Sequence, residues 1–139
     1  MTYLEYKWKI EFDAEQYKEL FYYTKSLDMD FIVSCWDRES IKLMEDNLNL
    51  DYHKVASALV TDKEFLNDLA KTGKPIILST GMSTQEQVDD AVNILSPNLK
   101  YILACTSTYP SNIDELNLKH ISTLKDKYPQ FSIGFSNHY

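Results

Sequence analysis

The fold class this sequence predicts is α/β, a parallel sheet whose strands are joined by helices, and three observations predict it. Short apolar runs rich in β-branched and aromatic residues begin near residues 31, 52, 76, 101 and 131. Between them lie segments with apolar residues at helical spacing, and strands that alternate with helices of this length are βαβ units. Each run also passes into polar side chains, at Ser34, Ser57, Ser79, Thr106 and Ser136. Two architectures answer this pattern: an open doubly wound sheet, or part of an eight-fold (β/α) barrel. A length of 139 residues favours the first. The second is favoured by polar residues at every strand end, and by only three glycines, none in a phosphate-cradling cluster.

The elements follow in order. From Leu4 to Phe12 apolar Tyr6, Trp8, Ile10 and Phe12 alternate with Glu5, Lys7, Lys9 and Glu11, a period of two that predicts an extended segment with one covered face. Asp13 is a cap for a helix carrying Tyr17, Leu20, Phe21, Thr24 and Leu27 and ending near Asp28 to Asp30. Phe31 to Cys35 is a strand, followed by a helix facing inward through Ile41, Met44 and Leu48. The strand Tyr52 to Ser57 leads to a helix opened by a Thr61/Glu64 capping box, buried through Phe65, Leu66, Leu69 and Ala70, and closed by Gly73 in a left-handed conformation. Pro75 starts the strand Ile76 to Leu78, and a Ser83/Glu86 capping box opens the helix of Val88, Ala91, Val92 and Leu95. Ser96-Pro97-Asn98 ends it, Tyr101 to Cys105 is the fourth strand, a helix surrounds Leu118, Ile121 and Leu124, and Phe131 to Phe135 is the last strand.

Composition limits the function. Hydrophobic residues make up 44% and charged residues 25%, ordinary for a globular protein, and no apolar run reaches the length of a membrane span. A formal charge of −7 argues against a general nucleic-acid binder and leaves room for a local cationic pocket. The start of the chain lacks the apolar core of a secretory signal, so a cytoplasmic protein is expected, with Cys35 and Cys105 reduced and buried in strands.

The residue that carries most chemistry is Lys54, inside the apolar run of the second strand. Alternation puts Lys54 and Ala56 on one face, and Val55 and Ser57 on the other. With both faces covered, the ammonium either escapes past the strand end or meets an anion in a cage of hydrogen-bonding groups. The other strand ends supply such groups: Ser34 and Asp37, Ser57, Ser79 and Thr80, Thr106 to Tyr109, and Ser136 to His138. Hydroxyls with one lysine and one histidine suit a phosphate or carboxylate, and Gly81 lets backbone amides approach it. Taken singly, each hydroxyl fits strand-end capping as well. His138 is a candidate metal ligand or acid-base group, or a solvated side chain; His53 and His120 read as surface or packing residues. No nucleophilic triad is legible, and Lys54 is also a candidate for a Schiff base.

Phe31-Ile32-Val33-Ser34-Cys35-Trp36-Asp37, Lys54-Val55-Ala56-Ser57, Ile77-Leu78-Ser79-Thr80-Gly81-Met82-Ser83, Cys105-Thr106-Ser107-Thr108-Tyr109-Pro110 with Asn117-Leu118, and Gly134-Phe135-Ser136-Asn137-His138 stand in the order seen in sialic acid synthases. From about residue 13 onward the chain resembles the bacterial N-acetylneuraminate synthase family, which includes legionaminic and pseudaminic acid synthases. The resemblance implies a partial (β/α)₈ barrel, strands three to seven of eight, and condensation of phosphoenolpyruvate with an N-acetylmannosamine-type sugar to a nonulosonic acid and phosphate. It assigns phosphoenolpyruvate binding to Lys54, with Ser57 and Ser79 beside it. Ser34 and Ser136 match strand-end hydroxyls of the same pocket, Tyr109 a sugar-pocket tyrosine, and Ser107 a position held by asparagine in some members. His138 matches a manganese ligand, so a divalent metal, manganese or magnesium, is implied, with its second histidine ligand outside this chain.

Departures accompany the match. Asn137 replaces an aspartate, Leu59 stands at an acidic position, and Ala104 stands where some members carry histidine. Family members are homodimers through a C-terminal antifreeze-like domain that has no counterpart here, so a truncated form with little activity alone is expected. The rival expectations are a Schiff-base barrel aldolase acting through Lys54, and a complete flavodoxin-like module that binds a small ligand without catalysis. Neither nucleic acid nor membrane is an expected partner.

Overall fold

A computed structural model describes residues 1–138. It contains six helices, α1 (Tyr3–Ile10), α2 (Ala14–Ser26), α3 (Arg38–Asn47), α4 (Lys63–Lys71), α5 (Gln85–Leu95) and α6 (Lys119–Lys127). Its five strands are β1 (Ile32–Val33), β2 (Tyr52–Val55), β3 (Ile76–Ser79), β4 (Leu99–Cys105) and β5 (Ser132–Ser136). All neighbouring strands are parallel, and their order across the sheet is their order in the chain. Successive helices pack on each other, α2 on α3, α3 on α4, and α4 on α5, while α6 covers β4 and β5.

This order decides between the two predicted architectures. A doubly wound sheet reverses its strand order at a switch point and carries helices on both faces. Here each crossover steps the same way across the sheet, the singly wound arrangement of a barrel segment. The core lies between sheet and helices. His53, Val55, Ile76, Leu78, Ile102 and Ala104 point outward into it, all buried, against Phe65, Leu66, Leu69, Val88, Leu95 and Leu124. The inner face carries Tyr52, Lys54, Ile77, Tyr101 and Leu103 and stays partly open, with Tyr101 37% and Ile32 44% exposed. Across β3, the rings of Tyr52 and Tyr101 meet at 5.9 Å between centroids, so the inner face is concave.

The structure corrects several sequence expectations. Leu4 to Phe12 is helical. Thr2 and Glu5 form a reciprocal capping box, with the Glu5 N–H donating to Thr2 Oγ1 at 3.2 Å and the Thr2 N–H to Glu5 Oε2 at 2.7 Å. An extended segment needs a neighbouring strand for its amides, none pairs with it among the described residues, and a helix satisfies them internally. No residue of α1 is buried, so its period of two reflects no covered face. The strand expected over Phe31 to Cys35 pairs only at Ile32 and Val33. Both predicted caps shift by one residue, and only the second is a reciprocal box. Asp62 rather than Thr61 caps α4, accepting from the Phe65 N–H at 3.0 Å, and Thr84 with Gln87 caps α5. Asp62→Ala is therefore expected to lower stability by about 1 kcal/mol in denaturant unfolding, and Thr61→Ala to leave it unchanged.

One polar cluster lies within the helix-facing layer. His53 is fully buried, its Nε2 2.8 Å from Glu45 Oε1, and Lys74 Nζ is 2.9 Å from the same oxygen. Burial holds the His53 pKa below its ordinary value, while Glu45 pulls it up and Lys74 adds to the lowering. The unfolded chain takes up this proton near pH 6.5 and the folded chain only at lower pH, so the contribution to stability is whole above about 6.5 and falls below it. Unfolding free energy is expected to drop between pH 7 and 5 more steeply in the wild type than in His53→Gln. Parallel profiles would contradict the assignment.

Candidate functional site

The C-terminal ends of the strands enclose a cavity of about 410 Å³. Its walls include Ser34 beyond β1, Lys54 of β2, Ser57 beyond it, Ser79 of β3, Cys105 of β4, Ser107, Ser136 of β5, and His138. Five strands laid flat at about 4.8 Å spacing span roughly 19 Å. One cavity of ligand size reaches all five ends because the sheet curls.

Seven of the eight residues to which the family resemblance assigns a role line this cavity: Ser34, Lys54, Ser57, Ser79, Ser107, Ser136 and His138. The eighth, Tyr109, is 84% exposed and sits outside it, with its ring edge-on to that of His138 at 5.6 Å. Strand parity sorts the rest. Ser79 pairs with Leu103 and Cys105 with Ser136, so these residues share the inner face with Lys54. Thr80 points the other way, donating its hydroxyl to the Leu103 carbonyl at 3.0 Å, and lines a second cavity of about 460 Å³ with Thr106, Asn117 and His120. Asp37 is committed to capping α3 through the Ser40 N–H. Ser57 departs from the expected alternation because β2 ends at Val55 and Ser57–Leu59 forms a 3₁₀ turn, which swings the serine onto the cavity.

The hydrogen bonds show which groups remain free. Ser34 donates its hydroxyl to the Lys54 carbonyl at 3.2 Å. Ser57 Oγ accepts the Gly81 N–H at 2.9 Å, which leaves its own proton available. The hydroxyls of Ser79 and Ser107 are buried without a partner among the described residues, and so is Nδ1 of His138. Lys54 is half-buried and its ammonium has neither ion pair nor hydrogen bond among the described residues. Unpartnered buried donors are costly, and a cluster of them around one ammonium is chemistry suited to a multi-oxygen anion. Gly81 shapes the same wall: a Cβ there would lie 2.1 Å from Ser107 Oγ and 3.0 Å from Ser57 Oγ.

The backbone holds His138 through its carbonyl, which accepts the Ser111 N–H at 3.0 Å. No group of three or more His, Cys, Asp or Glu able to hold a metal exists among the described residues. A lone imidazole beside serines is a poor site for a hard divalent cation, which takes several oxygen ligands. The described residues by themselves therefore do not complete a metal site. Among the described residues, no helix is long and apolar enough to cross a membrane. Sequence reasoning missed Trp36, Met82 and Cys105 as cavity walls; for Cys105 the signal is its place two residues beyond Leu103, on the inner face.

The chain is 35% identical over 135 residues to the N,N'-diacetyllegionaminic acid synthase of Campylobacter jejuni, covering 94% of this chain and 40% of that protein. It is 36% identical over 140 residues to the N-acetylneuraminate-9-phosphate synthase of Mus musculus, covering 99% of this chain and 38% of that one. It thus spans about two fifths of these relatives' own length. The N-acetylneuraminic acid synthetase of Leptospira borgpetersenii, solved in complex with citrate, superposes on 92% of this chain and 45% of its own with a TM-score of 0.86 and 28% identity. The family pattern matches residues 1–139, and the chain belongs to the NeuB family.

Proposed function

We propose that the cavity binds phosphoenolpyruvate and forms the phosphoenolpyruvate side of an active site that condenses it with an N-acetylmannosamine-type sugar to a nonulosonic acid. The observation that carries this reading is the meeting of the Lys54 ammonium with the hydroxyls of Ser79 and Ser107, which have no partner among the described residues, in one cavity. The named activities of the relatives support it, as does the citrate in the Leptospira synthetase, an oxygen-rich anion on a homologous fold.

Each side chain has a role consistent with its hydrogen bonds. Lys54 neutralises phosphate or carboxylate oxygens, and Ser79 and Ser107 donate to them. Ser57, held by the Gly81 N–H, donates its remaining proton. Ser34, already donating to the backbone, positions β2 rather than the anion. Ser136 completes the wall opposite Lys54, His138 is poised to hold or move a proton at the reacting oxygens, and Tyr109 orients that imidazole edge-on. In the reaction the methylene carbon of phosphoenolpyruvate forms a bond to the aldehyde carbon of the open-chain sugar, whose oxygen takes up a proton; water adds its oxygen at the neighbouring carbon that bears the phosphate, and that carbon's bond to the phosphate oxygen breaks. One water is consumed and one phosphate released. The described residues supply no metal site, so no step is assigned to one, and a divalent cation at His138 requires ligands beyond them.

Borohydride reduction in the presence of pyruvate separates this reading from a Schiff-base aldolase. The expected result is saturable phosphoenolpyruvate binding by calorimetry with no pyruvate adduct on Lys54. A reduced adduct at Lys54 would replace the synthase with the aldolase, and absence of phosphoenolpyruvate binding would overturn both the pocket and its assignment.

A further inference from the structure

The cavity has a wall that the proposed chemistry does not use. Cys105 ends β4, pairs in register with Ser136, and lies on the inner face with Leu103 and Ser79. It is half-buried, so the cavity gives access to it. The other thiol, Cys35, is 3% exposed; burial, with Asp37 and Glu45 nearby, pushes it up to about 12, which keeps it protonated and inert. The same cavity holds Ser79, a residue 2% exposed whose buried hydroxyl has no partner among the described residues, a donor waiting for a ligand oxygen. It also holds the Lys54 ammonium, which has no ion pair or hydrogen bond among the described residues and is the only lysine or arginine among those lining the cavity. A small molecule carrying carboxylates is thus drawn to Lys54 and Ser79 and held beside Cys105.

We infer that Cys105 is a thiol-modification site, at which small anionic disulfides form a mixed disulfide and close the cavity to its ligand. The inference rests on the anion-binding character proposed above. In the exchange the Cys105 thiolate attacks one sulfur of the incoming disulfide, its S–S bond breaks, and a new S–S bond joins the small thiol to Cys105. The other half leaves with the electron pair and takes up the proton that Cys105 gave to solvent, so Cys105 is oxidised as the leaving thiol is reduced. A free thiol reverses the step. Recognition by charge runs against the chain as a whole, whose formal charge of −7 attracts cationic reagents instead.

The test is peptide mass mapping of the folded chain after incubation with glutathione disulfide, which is anionic, or cystamine, which is cationic, each with and without inorganic phosphate. Expected are modification of Cys105 on the order of a hundredfold faster than Cys35, a faster reaction with glutathione disulfide than with cystamine, and slowing by phosphate. The same selectivity without slowing by phosphate keeps the modification site and sinks the phosphate-binding reading. An unmodified Cys105, under conditions where the chain unfolded in denaturant reacts at both cysteines, overturns the inference. So does faster reaction with cystamine.

Discussion

Lys54→Met is expected to weaken phosphoenolpyruvate binding by roughly tenfold to a hundredfold while leaving the melting temperature nearly unchanged. A hydrogen bond to a charged group contributes about 1.5–3 kcal/mol, which spans that range, and loss of the only lysine or arginine among the described residues lining the cavity removes the long-range attraction as well. The fold is insensitive because the ammonium has no partner among the described residues whose loss would leave a charge unpaired. Methionine keeps the apolar stem of the side chain in place, so the substitution isolates the charge. Equal affinity in the two proteins would mean that the anion sits elsewhere. A large drop in stability would mean that Lys54 is structural.

Gly81→Ala is expected to cost both binding and stability. The added methyl meets Ser107 Oγ at 2.1 Å, Ser57 Oγ at 3.0 Å and the Cys105 carbonyl oxygen at 3.2 Å, so side chains on both sides and the backbone of β4 must give way. Overpacking of this kind destabilises by about 1–3 kcal/mol. Because the displaced groups are two of the proposed anion donors, affinity for phosphoenolpyruvate is expected to fall about tenfold or more, alongside a lowered unfolding midpoint. Ser107→Gly in the same chain removes the 2.1 Å collision, so part of the stability should return while binding does not. Full recovery of binding in that double variant would show that Ser107 is not a donor.

Much of this fold was legible from local pattern. All five strands begin within about two residues of their expected starts, because the helix-facing positions His53, Val55, Ile76, Leu78, Ile102 and Ala104 fall in short apolar runs, His53 excepted. The helical faces of α3, α4 and α5 bury the residues their spacing marks. What local pattern cannot carry is strand order. The choice between a doubly wound sheet and a barrel segment depends on which strands pair, and pairing is a long-range property. The misread α1 shows the same limit, since alternation implies a strand only where a sheet exists to pair with it. Caps slipped by one because Thr61 with Asp62, and Ser83 with Thr84, offer two oxygens in succession, and only backbone geometry chooses between them.

The site divides along similar lines. Convergence of Ser34, Lys54, Ser57, Ser79, Ser107, Ser136 and His138 on one cavity follows from strand ends lying side by side, and the recurrence of hydroxyls pointed there. Which hydroxyls are free was not legible. Ser34, Thr80 and Asp37 look equivalent to Ser79 in the sequence, but each is committed to a backbone partner, whereas Ser79 and Ser107 are not. Tyr109 shows that a side chain next to the site in sequence need not line it; its ring rests against His138 instead. Parity along β3 would have separated Ser79 from Thr80, and parity along β4 would have placed Cys105 on the wall.

The central claim is that one anion engages Lys54, Ser79 and Ser107 together. A crystal structure of the chain soaked with phosphoenolpyruvate tests it most directly. Phosphate or carboxylate oxygens are expected within hydrogen-bond distance of Lys54 Nζ and of both serine hydroxyls, in the cavity that Gly81 leaves open. Ligand bound away from that cavity, or bound there with Lys54 turned out to solvent, would contradict it.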